Sequence, residues 1–461
     1  MKETERKEVV TVGSHVIIQK LDYKKVYRVS ETGSLALGKE EIKMSAIIGQ
    51  PFWTTFKVIP PEGKRDNKNY RKGPPSTLVV AEKSDTLEDL KNAMASGYDN
   101  RSINDDGKSQ KLSKDDILGL RDAGKSGREI VSSLIENNAS FSEKTEYSQE
   151  KYIRKKEKKY CQFLSVHKPT LSSLQKIYLR QDPAKIYFLR MDTLAQLFSY
   201  SDVKSEGTFI LYDSGTNGLG AAGMLSRIGS KTSGNLLYLH PGDHLPQMPI
   251  LRAMNFPQDQ LDRLTVVSIF DFFRNRNKAE SDSAIKADKI DVEVESVVVE
   301  DTKVQETEGV IDSVDSNKDD CEENKCDIAN SNELKRKNSE GQGEDEPILK
   351  KSRKVQDIER AAELLSSSKA DGLAIIAKEH PLNIVKALLP LVKSSRPFVI
   401  YHAHREPLQE TYVALKQQSD VINLRLFSNF LRSYQVLPDR THPDILTNDC
   451  GGYLLSGYLV S

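Results

Sequence analysis

The sequence predicts an α/β plus β chain in three parts: an N-terminal small β-barrel over residues 1–84, a basic helical connector over 85–169, and a doubly wound α/β domain over 170–461, interrupted by a long disordered insertion at 276–354. Three observations carry this. Short β-type runs broken by Gly and Pro fill the first part. Helix-start signals and long charged runs fill the second. In the third, near-continuous apolar strands alternate with helical segments, which argues for a mostly parallel sheet covered on both faces.

The β-type runs are Val16-Ile17-Ile18, Tyr23–Val29, Ile47-Ile48-Gly49, Trp53–Ile59 before Pro60-Pro61, and Thr77–Val80. Residues 62–76 read as a basic loop. In the connector, Ser113-x-x-Asp116 and Ser126-x-x-Glu129 have capping-box spacing, in which side-chain oxygens take the free N–H groups of a first helical turn. A third helix is expected over 142–163. Strands of the α/β domain are expected at 207–212, 235–239, 264–270, 372–377, 397–401 and 453–460, with helices such as Gly218–Ile228 and Pro381–Val392 between them. The interval 276–354 is poor in aromatics and rich in Asp, Glu, Ser, Asn and Lys, so it buries too little surface to offset ordering entropy. Strand-bearing sequence on both sides makes it an insertion within a domain.

Composition excludes several classes. Lys plus Arg equal Asp plus Glu at 67 each, so partners must be read from local charge rather than from the total. Cys161, Cys321, Cys326 and Cys450 fit neither a disulfide framework nor a zinc spacing, and no metal is expected. The first ten residues, MKETERKEVV, lack a signal-type apolar core, and no apolar run nears the roughly 20 residues of a membrane span. The expectation is a soluble intracellular protein without membrane contact. Lys335-Arg336-Lys337 and Lys350-Lys351-Ser352-Arg353-Lys354 form two basic clusters with bipartite import spacing, so the nucleus is the expected compartment.

Two motifs bear on chemistry. Lys151, Arg154, Lys155 and Lys158 recur at i, i+3, i+4, i+7 on one helical face, with Lys159 beside them. Like charges stacked this way repel, and a nucleic-acid backbone is their natural counterpart. The second motif, Asp213-Ser214-Gly215-Thr216-Asn217-Gly218-Leu219-Gly220, follows an apolar strand and opens a helix, as in the first β-turn-α unit of a Rossmann-like fold. Methyltransferases that use S-adenosylmethionine carry acid-x-Gly-x-Gly-x-Gly there. Asp213 and Gly215 fit, but Asn217 and Leu219 replace the next two glycines, and a bulky Leu conflicts with close cofactor approach. No acid ends the second strand to hold a ribose: His240-Pro241-Gly242 stands there, with Asp243 late. The expectation is a Rossmann-like methyltransferase fold with a degenerate cofactor site, no cofactor and no catalytic residue in this chain.

The chain resembles the non-catalytic subunits of the eukaryotic tRNA (adenine-58-N1)-methyltransferase. The resemblance rests on Asp99-Asn100-Arg101-Ser102, Gln110-Lys111-Leu112-Ser113, Ser126–Val131, Thr145–Ile153, Ala370-Asp371-Gly372-Leu373, Ser395–Val399, Leu431–Pro443 and Gly451–Gly457, and runs over nearly the whole chain outside the insertion. It implies a 2:2 heterotetramer with a catalytic subunit that holds S-adenosylmethionine, and tRNA across the interface with adenine 58 flipped out. That catalytic subunit carries Asp-Leu-Pro-x-Pro-Trp after its fourth strand. Here Ala377-Lys378-Glu379-His380-Pro381 stands instead, with Glu379 the one carboxylate. Arg432, Arg440 and His442 join the five basic helix residues as candidate RNA contacts. The alternatives are a self-sufficient RNA methyltransferase with a variant turn, or a scaffold without RNA contact.

Overall fold

The computed structural model describes residues 8–59, 75–81, 109–160, 163–278 and 353–460, except 22, 39, 123–126, 367, 437–440 and 446–450. Two compact units result, one from residues 1–272 with 357–461, the other from 273–356. Of the second, the described residues are helical: 273–278, and 353–356 at the start of the helix Arg353–Ser366. The edges of the expected disordered insertion, at 276–278 and 353–354, are therefore helical, and 279–352 lie outside the described residues. So do the import cluster at 335–337 and Lys350–Ser352, the four cysteines, Ser126, Asp99–Ser102 and Arg440.

The first unit holds two main sheets. N-terminal strands β1 (His15–Lys20), β2 (Tyr23–Arg28), β5 (Thr55–Ile59), β6 (Thr77–Val80) and β7 (Phe163–His167) form an antiparallel sheet in the order β2-β1-β7-β5-β6. A hairpin of β3 (Ser34–Leu37) and β4 (Glu40–Lys43) joins it through the bridge Ile42–Ser76. Its core is Val16, Ile18, Ile42, Met44, Phe56, Leu164 and their neighbours. Two expectations change here. Ile47 ends a 3₁₀ turn, Ser45–Ile47, rather than a strand. The expected 142–163 helix runs Glu146–Tyr160, and the chain then re-enters the sheet as its central strand β7, paired with β1 and β5. The alternation of Leu164 and Val166 with half-buried residues gives β7 one buried face, which a helix tail would not have.

The helices of the connector pack on a core of their own, Val131, Phe141 and Ile153. Ser113 and Asp116 form the expected reciprocal cap: Ser113 N–H donates to the Asp116 carboxylate at 2.9 Å, and Asp116 N–H to Ser113 Oγ at 3.1 Å.

The larger sheet comprises β8 (Thr208–Asp213), β9 (Asn235–His240), β10 (Leu264–Ser268), β11 (Gly372–Ile376), β12 (Pro397–His402), β13 (Val421–Ser428) and β16 (Tyr453–Leu459). Its order is β10-β9-β8-β11-β12-β16-β13, parallel up to β12, with β16 antiparallel to both neighbours. This is the Rossmann-like order of methyltransferases. The order reverses between β8 and β11, where open α/β sheets form their ligand crevice. β13 was not among the expected strands. Its mostly part-exposed residues, as suits an edge, hide the apolar run that marks its neighbours.

The two sheets are joined by β1. Its Val16 and Ile18 enter the N-terminal core, while Ile17, on the opposite face, enters the α/β core. His15 N–H donates to Asn255 Oδ1, and Asn255 Nδ2 returns a bond to the His15 carbonyl, both at 2.8 Å.

Candidate functional site: the strand-tip crevice and the basic helix

Asp213 ends β8 and is buried. Its carboxylate accepts from Gly215 N–H and Thr216 N–H, each at 2.9 Å, and from the Thr216 hydroxyl. Burial pushes the Asp213 carboxyl up, and these three donors oppose the shift. The carboxylate is thus committed to shaping its own turn. Tyr238 on β9 donates its hydroxyl to the Asp213 carbonyl at 3.2 Å.

The two replaced glycine positions behave differently from each other. Asn217 adopts the left-handed conformation, φ 53°, which Asn tolerates better than other side chains. Its Nδ2 donates to the Lys185 carbonyl at 2.8 Å, so the polar end faces away to another loop. Leu219 is fully buried in the α/β core and does not line the crevice. The expected obstruction by Leu219 is therefore not what limits this site.

The exposed Lys378 lies against the turn instead. It follows β11, and its N–H donates to Ser214 Oγ at 2.9 Å. Its aliphatic stem lies against Gly215: a Cβ at that glycine would stand 2.1 Å from Lys378 Cε. The close approach that glycine permits is taken by the chain's own side chain. Met248 likewise covers Gly218, where an added Cβ would meet Met248 Cβ at 2.7 Å. What remains is a cleft of about 220 Å³ edged by Ser214, Gly215, Tyr238, His240, His244 and Gln247. Ligand pockets span roughly 300–1,000 Å³. His240 is buried at the tip of β9 beside Ser268, and Asp243 is exposed outside the cleft. Glu379 is exposed, and the Tyr212 hydroxyl donates to it at 3.4 Å. Burial and Glu379 push the Tyr212 phenol up.

The helix Glu146–Tyr160 carries six Lys or Arg against three Glu, so its own acids cannot neutralise it. Ile153 anchors it in the connector core, and buried Gln149 donates to the carbonyls of Phe141 at 3.1 Å and Lys144 at 2.9 Å. That docking turns Lys151, Arg154, Lys155 and Lys159 outward. The side chain of Lys158 lies outside the described residues. The exposed four are not equivalent. Arg154 pairs with Glu150 at 3.1 Å, and Lys159 sits over the Tyr160 ring at 5.1 Å. Lys151 and Lys155 have no ion-pair partner among the described residues. Lys156 turns inward over Tyr152, and burial, then Lys159 and Lys155, hold its ammonium below the usual lysine value.

Arg432 and His442 are exposed in a separate segment, where β14 (Tyr434–Gln435) pairs with β15 (His442–Pro443). Its apolar display is the larger signal: Phe430 is 79% exposed, Val436 74% and Ile445 93%. Among the described residues no cluster of three or more His, Cys, Asp or Glu is arranged to hold a metal, and no helix is long and apolar enough to cross a membrane.

Residues 9–298 match the Gcd10p family. A Mus musculus protein described as tRNA (adenine(58)-N(1))-methyltransferase non-catalytic subunit TRM6 is 34% identical, over 97% of this chain and 88% of the relative. The chain belongs to the Gcd10p family. A Dictyostelium discoideum relative of the same description is 26% identical, over 98% of this chain and 80% of its own length. Among solved structures, an S-adenosylmethionine-dependent O-methyltransferase from Thermotoga maritima aligns over 98% of this chain and 95% of its own, at 10% identity and a TM-score of 0.46. In this Gcd10p family chain, sequence reasoning located the turn and the helix but missed Lys378, Met248 and the apolar 430–445 segment. The Asp-x-Gly-Thr run was the available signal for a carboxylate spent on its own turn. Nothing local marks Lys378.

Proposed function

We propose that this chain is the non-catalytic, tRNA-binding subunit of a tRNA (adenine-58-N1)-methyltransferase complex. Family membership carries the reading: relatives that align along most of their length bear that description. S-adenosylmethionine belongs to the catalytic partner, in a 2:2 heterotetramer, and the complex works in the nucleus. The residues at the strand-tip crevice of this chain do not fit that cofactor. Lys378 covers Gly215, His240 stands where a ribose-holding acid is needed, and the free space is about 220 Å³. The N-terminal sheet with its hairpin, closed over one apolar core, is read as a small barrel. Lys151 and Lys155 supply backbone contacts to RNA, with Arg154, Lys158, Lys159, Arg432, Arg440 and His442 as further contacts. Phe430, Val436 and Ile445, exposed near one another in sequence, are assigned to the contact with the catalytic subunit.

The test is methylation of tRNA by this chain alone, by the catalytic subunit alone, and by both. The expected result is activity that requires both proteins. Methyl transfer by this chain alone contradicts the reading.

A further inference from the structure

Where β1 and β2 meet the helices Leu171–Gln181 and Pro249–Ala253, the first unit carries an open, concave cavity of about 370 Å³. Arg28 and Arg252 line it from the two sides, with His15, Tyr178, Gln247 and the apolar Pro249 between them. None of its lining residues is acidic. Neither arginine has a carboxylate partner among the described residues. Both fields converge on one spot: His15 is held below the usual histidine value by burial first, against its bond to Asn255, and then by Arg28 and Arg252. The His15 backbone is pinned by its two bonds to Asn255, so this wall is rigid.

Two guanidiniums around a concave, partly apolar wall focus positive potential into it. Their planar forks match the paired oxygens of a phosphoryl group. The cavity lies within the size range of small-ligand sites, so it exceeds the needs of a bare phosphate. Its remaining wall, the Tyr178 ring and Pro249, suits a ribose.

We infer that this junction cavity binds a phosphodiester unit of the RNA, gripped by Arg28 and Arg252. The inference rests on the RNA-binding reading above and adds to it a site remote in sequence from the basic helix. It also gives the packing of the N-terminal sheet on the α/β sheet a role, since each part contributes one arginine.

The test uses the full chain assembled with its catalytic partner, titrated with tRNA at several salt concentrations. Three double variants are compared with wild type: Arg28→Ala with Arg252→Ala, Arg28→Lys with Arg252→Lys, and Lys151→Glu with Lys155→Glu. The alanine pair is expected to weaken tRNA about tenfold and to lower the slope of log affinity against log salt by about one. The lysine pair keeps the slope but loses part of the affinity, because a point charge lacks the fork. Unchanged affinity in the alanine pair, with weakened binding in the Lys151/Lys155 pair, overturns the cavity assignment and leaves the RNA-binding reading standing. Unchanged affinity in both overturns both. In a second arm, inorganic phosphate and AMP are titrated against the wild-type complex while the His15 ring resonance is followed. Saturation by either at micromolar concentration, with tRNA binding intact in the alanine pair, makes the ligand a free phosphoryl compound and overturns the RNA assignment.

Discussion

The crevice at the tips of β8 and β11 and the cavity at the junction of the two sheets share a border residue, Gln247, yet they are built in opposite ways. In the crevice the chain answers its own polar groups. Asp213 takes three donors from its turn, Lys378 lies against Gly215, and Met248 lies against Gly218. In the junction cavity two arginines share the lining with no acid beside them. On the proposed function, a Rossmann-like sheet is kept for its stability and shape while its usual ligand crevice no longer takes a cofactor. The cations without an acidic partner among the described residues, Arg28, Arg252, Lys151 and Lys155, are the residues on which the proposed RNA binding rests.

The comparison can be broken in several places. The largest effect is expected in the α/β sheet, at the entry to β16. Gly452 has φ 71°, and a Cβ there would stand 2.4 Å from Tyr401 Cε2. Gly452→Ala should cost about 3 kcal/mol, from left-handed strain plus overpacking. Thermal unfolding would read this as a drop in Tm, and an unchanged Tm would show that the segment relaxes freely.

Next in size is charge reversal on the basic helix. Lys151→Glu with Lys155→Glu should weaken tRNA binding by the complex at least tenfold and lower the salt slope by about two. Arg154→Ala should do less, since Glu150 already shares that charge. Equal losses at Arg154 and Lys155 would remove the distinction between paired and open cations.

A third prediction concerns pH. Asp371 lies buried at the start of β11, accepting from Lys393 at 2.9 Å and from Thr208 N–H at 3.0 Å, with Arg396 at 3.4 Å. Burial alone would raise its carboxyl, but these partners outweigh it and hold the group below the ordinary value. Its folded-state value is therefore below the unfolded one of about 3.9. The stabilisation is present above about pH 4 and is lost as pH falls through the depressed value. Asp371→Asn should cost about 2 kcal/mol at neutral pH and flatten the acid limb of the stability curve below pH 4. An acid limb identical to wild type would remove Asp371 as its source.

The smallest expected effect sharpens the crevice itself. Lys378→Ala removes the stem over Gly215, yet His240 still stands at the end of β9 and Asp213 still serves its turn. S-adenosylmethionine binding by this chain should remain undetectable by calorimetry. Binding restored by that one change would mean that Lys378 alone closes an otherwise intact site.

Much of the fold was legible because its physics is local. Strands β8, β9, β11 and β12 are buried on both faces and read as apolar runs. The Ser113–Asp116 cap and the outward face of the basic helix follow from spacing alone. The rest depends on contacts distant in sequence. β7 follows the charged helix so closely that its first residue, Phe163, read as the helix end and the rest went unassigned, and its strand identity comes from pairing with β1 and β5. Leu219 looked like the obstruction because it stands at a glycine position, yet the helix turns it into the core. Lys378 reaches Ser214 and Gly215 from just after β11, more than 150 residues later in the chain, and nothing in its neighbours announces that. The junction cavity depends on Arg28 and Arg252 meeting, which no local pattern encodes.

On the proposed function, this chain keeps the fold and holds no S-adenosylmethionine. That claim is tested most directly by counting S-adenosylmethionine sites on the assembled complex by calorimetry. One site is expected for each pair of catalytic and non-catalytic subunits, abolished by disrupting the catalytic subunit's own S-adenosylmethionine site. Two sites per pair, with one surviving that disruption, would contradict the claim.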